Sequence, residues 1–270
     1  MNDPLYPNAA ETEGELELTH SDKAAGIFTE PSATFAAAAK FPPKTVDWLL
    51  PILLLILVAG LSPTIYRTNP EVRRQMIEQA VSQREKLLEE SLKSGQITQE
   101  QAEQGIEQTR AFIENGGPFF TIMNFLIVAV SFTIIFFIVA GIYFLLCRFL
   151  LKGTGAYSSV LVASGLTSYI GIIQVIVIII LSLAFSKNFT GTSIAAITGM
   201  DKNTTLGFLL NKADIFTLWS LCITGIGLAK MFKSTDTKKY LIMIFSLWVI
   251  WSVLIFGLSK VSPFFSNFNV

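Results

Sequence analysis

The chain has 270 residues, 51% of them hydrophobic and only 15% charged, with equal numbers of acidic and basic side chains. A soluble domain carries about 25% charged residues, so this deficit and a mean hydropathy of +0.55 point to lipid as the solvent. Zero net charge argues against a nucleic-acid partner, and two cysteines with one histidine make neither a disulfide framework nor a metal-ligand set.

Residues 1–44 read as a disordered acidic tail. Asp3, Glu11, Glu13, Glu15, Glu17 and Asp22 crowd a stretch of low hydrophobicity that ends in the Ala36–Ala39 patch. No apolar core follows basic residues, as a secretory signal would require. The single histidine, His20, falls in this tail.

Five apolar runs follow, at Val46–Tyr66, Phe119–Leu146, Val160–Phe185, Ile215–Met231 and Tyr240–Leu258. A helix needs about 20 residues to cross a hydrocarbon core. Lipid offers backbone groups no hydrogen bonds, so each run is expected to be a helix that pairs its own N–H and C=O groups. The fold class is therefore all-α: a polytopic membrane protein of about five transmembrane helices.

The first span, 45–66, opens with Asp47, Trp48 and Pro51. Trp48 suits the headgroup belt, and Pro51 falls in the first turn, where a missing N–H costs little.

Residues 67–117 are polar and predict an extramembrane helical hairpin. Asn69-Pro70 reads as an N-cap followed by proline at the first helical position. Val72, Met76, Ala80, Leu87 and Leu88 recur at helical spacing until Gly95. Thr98 and Gln101 form a capping-box pattern for a second helix carrying Ala102, Ile106 and Ile113. The apolar stripe has three places to go: the facing helix, a second copy, or the membrane surface.

Residues 118–260 hold spans two to five, and 261–270 form a C-terminal tail. The second span would extend about 40 Å at 1.5 Å per residue, so it must tilt or project. The third begins at Tyr157 and carries Ser164, Gly165, Ser168 and Gly171, small residues that let helix backbones approach closely. Gln174 is its strongly polar mid-span side chain, suited to bonding a neighbouring helix or a substrate. In the polar loop 186–213, Ser193–Ile197 and Leu206–Leu210 read as short interfacial helices. Asp214 stands at the N-terminus of the fourth span, where a carboxylate answers free N–H groups and the helix dipole. Lys230, Lys233, Lys238 and Lys239, with Arg148 and Lys152, load the short links on the N-terminal side of the membrane. They predict a cytoplasmic N-terminus and an external C-terminus.

Gly155-Ala156-Tyr157-Ser158-Ser159 leading into Ser164-Gly165, Asp214-x-Phe216-x-x-Trp219 before an apolar helix, and Trp48-x-x-Pro51 together resemble the Yip (Ypt/Rab-interacting protein) family over residues 45–260. The resemblance implies a five-span domain with a cytoplasmic N-terminus and a role in membrane organisation or trafficking. The hairpin at 67–117 is far longer than the loop of eukaryotic members, which favours a bacterial-type branch and the inner membrane, with a eukaryotic endomembrane as the alternative.

The reading of function is a non-enzymatic membrane scaffold or adaptor; a small-solute transporter or channel is the alternative. Candidate packing or interaction residues are Gly155, Tyr157, Ser164, Gly165, Gln174, Asp214, Phe216 and Trp219. No catalytic residue, cofactor or metal is assigned, because Asp47 and Asp214 at span ends are the only titratable candidates for acid–base work. Expected partners are the bilayer and an unidentified membrane or peripheral protein, with homo-oligomerisation left open.

Overall fold

The computed structural model describes residues 16–115 and 117–261. Among them are eleven α-helices and no strand: α1 (His20–Thr29), α2 (Pro31–Ala38), α3 (Val46–Tyr66), α4 (Pro70–Lys93), α5 (Gln99–Asn115), α6 (Gly117–Leu145), α7 (Tyr157–Ala184), α8 (Ile194–Thr198), α9 (Thr205–Lys212), α10 (Ile215–Met231) and α11 (Thr237–Ser259). The chain is an all-α polytopic membrane protein.

Four helices are long and apolar enough to cross a membrane: α3, α7, α11, and α6 with the π-helical turn Leu146–Leu150 that continues it. The fourth apolar run, α10, has 17 residues and reaches span length only together with α9, at a 53° bend. Large apolar side chains such as Ile127, Val130, Ile134, Ile135 and Ile138 stand exposed along α6. In water such a face would be costly; against acyl chains it is the expected solvent contact.

Contacts divide the chain into two compact units. The first comprises the described residues 16–56, 130–173 and 216–249. Its core joins Ile27 and Phe35 to Val160, Ala163, Leu166 and Ile170 of α7, Leu228 of α10, and Tyr240 and Ile244 of α11. The disorder expected over 1–44 therefore does not hold where the structure describes it; residues 1–15 lie outside the described residues. Average composition concealed the reason. Ile27, Phe28, Phe35 and Ala38 form an apolar face within an otherwise polar stretch, and Phe35 and Ile27 are fully buried. Thr19 and Asp22 cap α1 reciprocally, each side chain taking the other's backbone N–H. Gly26 has no room for a Cβ because Thr34 of α2 packs directly on it. Trp48 packs against this core, its ring 6.2 Å from Phe136 and 5.7 Å from Phe137.

The second unit comprises the described residues 57–129, 174–215 and 250–261. It contains the α4–α5 hairpin. Asn69 caps α4 by accepting from the Glu71 and Val72 N–H groups, with Pro70 first in the helix. Gly95, at φ 70°, ends it: the N–H groups of Gly95 and Gln96 return to the Leu92 and Ser91 carbonyls. Thr98 and Gln101 then start α5 as a capping box. The apolar stripe is buried by the hairpin and the start of α6, through Ile77, Val81, Ile113 and Phe120. Guanidinium groups of Arg67 and Arg73 donate to the Glu114 carbonyl at 3.3 and 2.9 Å and fix the hairpin's base. Asn124 donates to the Gly60 carbonyl at 3.1 Å, tying α6 to α3. Of the tail 261–270, only Val261 is described.

Candidate functional site

Helix α1 places His20, Lys23 and Ile27 at i, i+3 and i+7, which is one helical face. Ile27 enters the first unit's core, so the same face brings His20 and Lys23 onto the opening turn of α3. There Asp47 is 1% exposed and Lys23 2%. Lys23 Nζ donates to Asp47 Oδ2 at 2.6 Å and to Glu17 Oε1 at 3.3 Å. His20 Nδ1 lies 2.9 Å from Asp47 Oδ1, and its Nε2 lies 2.7 Å from the Tyr169 hydroxyl on α7. A carboxylate can only accept, so Nδ1 carries the proton in the neutral ring and Nε2 accepts from Tyr169. Lys44 closes the outer edge at 2.6 Å from Glu17 Oε2, and that hydrogen bond holds the Lys44 ammonium above the usual lysine range.

With His20 neutral, two carboxylates and two ammonium groups make the cluster formally neutral. Each oxygen of Asp47 has a donor, from two side chains of α1. The arrangement fastens the N-terminal helix to α3 and α7 through charge that is withdrawn from water. Breaking such a pair on one side typically costs about 3–5 kcal/mol, whereas replacing both partners often costs little.

A second polar group lies in the second unit. Asp214, 6% exposed, accepts from the Thr192 hydroxyl at 2.7 Å. Gln174 Nε2 donates to Thr192 Oγ1 at 2.9 Å and stands 3.3 Å from Asp214 Oδ2. Gln174 and Asp214 thus meet each other through the 186–213 loop, at the break between α9 and α10.

The other candidate positions fall in the first unit. A Cβ on Gly165 would overlap the Trp48 backbone, so α3 and α7 touch main chain to main chain there. Gly155 lies under the Phe232 ring. Tyr157 begins α7, packs edge-on to Phe144 at 5.7 Å and donates to the Phe137 carbonyl at 3.3 Å. Trp219 meets Phe28 of α1 edge-on at 5.7 Å, and Phe216 packs on the same core. The Ser164 hydroxyl is buried without a hydrogen-bond partner beside a 250 Å³ cavity lined also by Phe132, Phe136 and Thr224.

Within the second unit Gln174 and Asp214 come together; within the first, the other six candidates are spread along its helix contacts. Among the described residues, the buried Lys23–Asp47 ion pair with His20 beside it lay outside these candidates. The i, i+3, i+7 spacing of His20, Lys23 and Ile27 was the available signal.

A family model described as the Yip1 domain matches residues 25–259. That range begins inside α1, so the matched region takes in Ile27 and α2 as well as the spans. No curated protein and no solved structure matches the chain.

Proposed function

The chain belongs to the Yip family, and from that premise we propose that it acts as a non-enzymatic scaffold or adaptor that organises membrane through protein contacts. The observation that carries this is the α4–α5 hairpin. Its apolar stripe is buried between its own two helices and the start of α6, which leaves its charged faces outward. The buried polar groups described above are engaged with one another: Asp47 with Lys23 and His20, and Asp214 with Thr192 and Gln174. Groups so engaged specify packing, and recognition is left to the extramembrane helices. The basic short links support a cytoplasmic N-terminus, and the length of the hairpin favours a bacterial-type member in the inner membrane.

A photocrosslinking side chain placed at exposed Glu103 or Glu107 tests this in cells. It is expected to capture one reproducible protein partner that the same probe at lipid-facing Ile134 does not. Capture no different from Ile134 would defeat the scaffold reading. So would reconstituted vesicles in which the chain moves a solute and Gln174→Leu abolishes the movement.

A further inference from the structure

We propose that the cleft between α4 and the 187–203 segment of the second unit binds a phosphorylated polyol. It has a volume of 670 Å³, within the range of about 300–1,000 Å³ usual for small-molecule sites. Its lining is polar on both sides. Gln75, Gln79 and Gln83, at four-residue spacing, form the α4 wall, and Lys86 continues it one turn on. Lys187, Lys202 and Asp201 lie across from them.

Three lysines face one carboxylate, so the lining carries a formal charge of +2. That carboxylate is already committed: Asp201 Oδ1 accepts from the Asn203 N–H at 2.9 Å and from its side-chain amide at 3.0 Å. Lys187 is fixed in position, donating to the Ile197 carbonyl at 3.0 Å and lying 4.9 Å over the Phe189 ring.

The amides are also set. The Asn188 N–H donates to Gln75 Oε1 at 2.9 Å, and its side-chain amide donates to Gln79 Oε1 at 2.8 Å. Both glutamines are thereby oriented by their oxygens, with the Gln79 amide nitrogen left to donate. Phosphate presents several acceptor oxygens to ammonium groups arriving from different elements, where a carboxylate presents two. Amide donors and acceptors beside it suit hydroxyl groups. Burial also pushes the Lys202 ammonium below the usual lysine range.

A soluble sugar or glycerol phosphate and a phospholipid headgroup share this chemistry. The full chain in phosphatidylcholine nanodiscs distinguishes them. One arm titrates sn-glycerol 3-phosphate by calorimetry; the other includes phosphatidylglycerol and follows its retention by native mass spectrometry. Saturable binding in one arm supports the site and names its source. Lys86→Gln with Lys202→Gln is expected to weaken that binding about tenfold or more, the loss of one or two charge-assisted hydrogen bonds. Asp201→Asn keeps the oxygen that caps the 201–204 turn and is expected to tighten binding. It decides the matter if the lysine variant fails to fold. No saturable binding in either arm, or binding that Asp201→Asn leaves unchanged or weakens, overturns the proposal. The scaffold role has its own readout in crosslinking from α5 and does not depend on this result.

Discussion

Lys23 Nζ lies 2.6 Å from Asp47 Oδ2, with 3% and 2% of the two side chains exposed. The two residues are 24 positions apart, one on the N-terminal helix and one on the first span. Removing either charge leaves the other buried without its counter-ion, at a typical cost of about 3–5 kcal/mol. Lys23→Met alone and Asp47→Asn alone are therefore expected to lower the melting temperature of the purified chain in detergent. The double variant is expected to melt closer to the parent than either single one, because it buries no unpaired charge. Limited proteolysis should show α1 released in the single variants first. Equal melting of all four proteins would mean that the cluster does not hold α1 in place.

The contact of Gly165 with Trp48 sets a second expectation. A methyl group at 165 would overlap the Trp48 Cα and Cβ, and backbone atoms cannot step aside as a flexible side-chain tip does. Gly165→Ala should force α3 and α7 apart at a cost of about 1–3 kcal/mol, as overpacking does elsewhere. Gly171→Ala is the matched control, since its Cβ would meet Leu55 at 3.5 Å, an ordinary contact. Thermal melts of the two variants side by side decide whether the close approach is specific to position 165.

These two sites show what the residues disclose on their own. The spans and the hairpin were legible because each rule acts within a short segment. Apolar run length gives a span, Asn69-Pro70 gives a helix start, and Gly95 a stop. Gly165 belonged to a small-residue pattern that predicts close helix packing, though not which helix arrives. The His20–Lys23–Asp47 cluster was not legible, because the meaning of Lys23 depends on a carboxylate 24 residues away. Judged by its composition, the segment around α1 is polar and acidic. Judged by its face, it is a helix with Ile27 buried and two nitrogen-bearing side chains beside it. The partners of Trp48 were hidden for the same reason: its stack on Phe136 and its edge contact with Phe137 join residues about 90 positions apart.

Glu71 gives a pH dependence with a definite sign. It is in the first turn of α4, where Arg74 bonds both its oxygens, at 2.5 and 3.1 Å, and holds its carboxyl down at about 2 against an ordinary value of 4.5. A carboxyl lowered on folding stabilises the folded form above its unfolded value and loses that contribution as pH falls through the folded one. The first turn of α4 should therefore keep this support at neutral pH and lose it progressively from about pH 4.5 towards pH 2. NMR titration of the Glu71 carboxyl carbon reads this directly. Arg74→Gln should return the midpoint towards 4.5, and a midpoint unmoved by that change would place the cause elsewhere.

Orientation in the membrane can be settled with introduced cysteines. The native pair interferes little, since Cys147 is 0% exposed and Cys222 is half-buried within α10. Gln96, in the α4–α5 turn, and Thr235, in the link between α10 and α11, are both exposed. With the bent α9–α10 pair counted as one crossing, chain order is expected to put them on opposite sides: α3 separates the N-terminus from the hairpin, and the passes that follow return the chain to the N-terminal side before α11. Clustered lysines in short links are retained on the cytoplasmic side, and Lys230, Lys233, Lys238 and Lys239 flank Thr235. A membrane-impermeant maleimide applied to intact cells should therefore label Gln96→Cys and spare Thr235→Cys until the cells are opened. The reverse pattern would place the hairpin in the cytoplasm. Labelling of both in intact cells would mean that the bent α9–α10 pair does not complete a crossing.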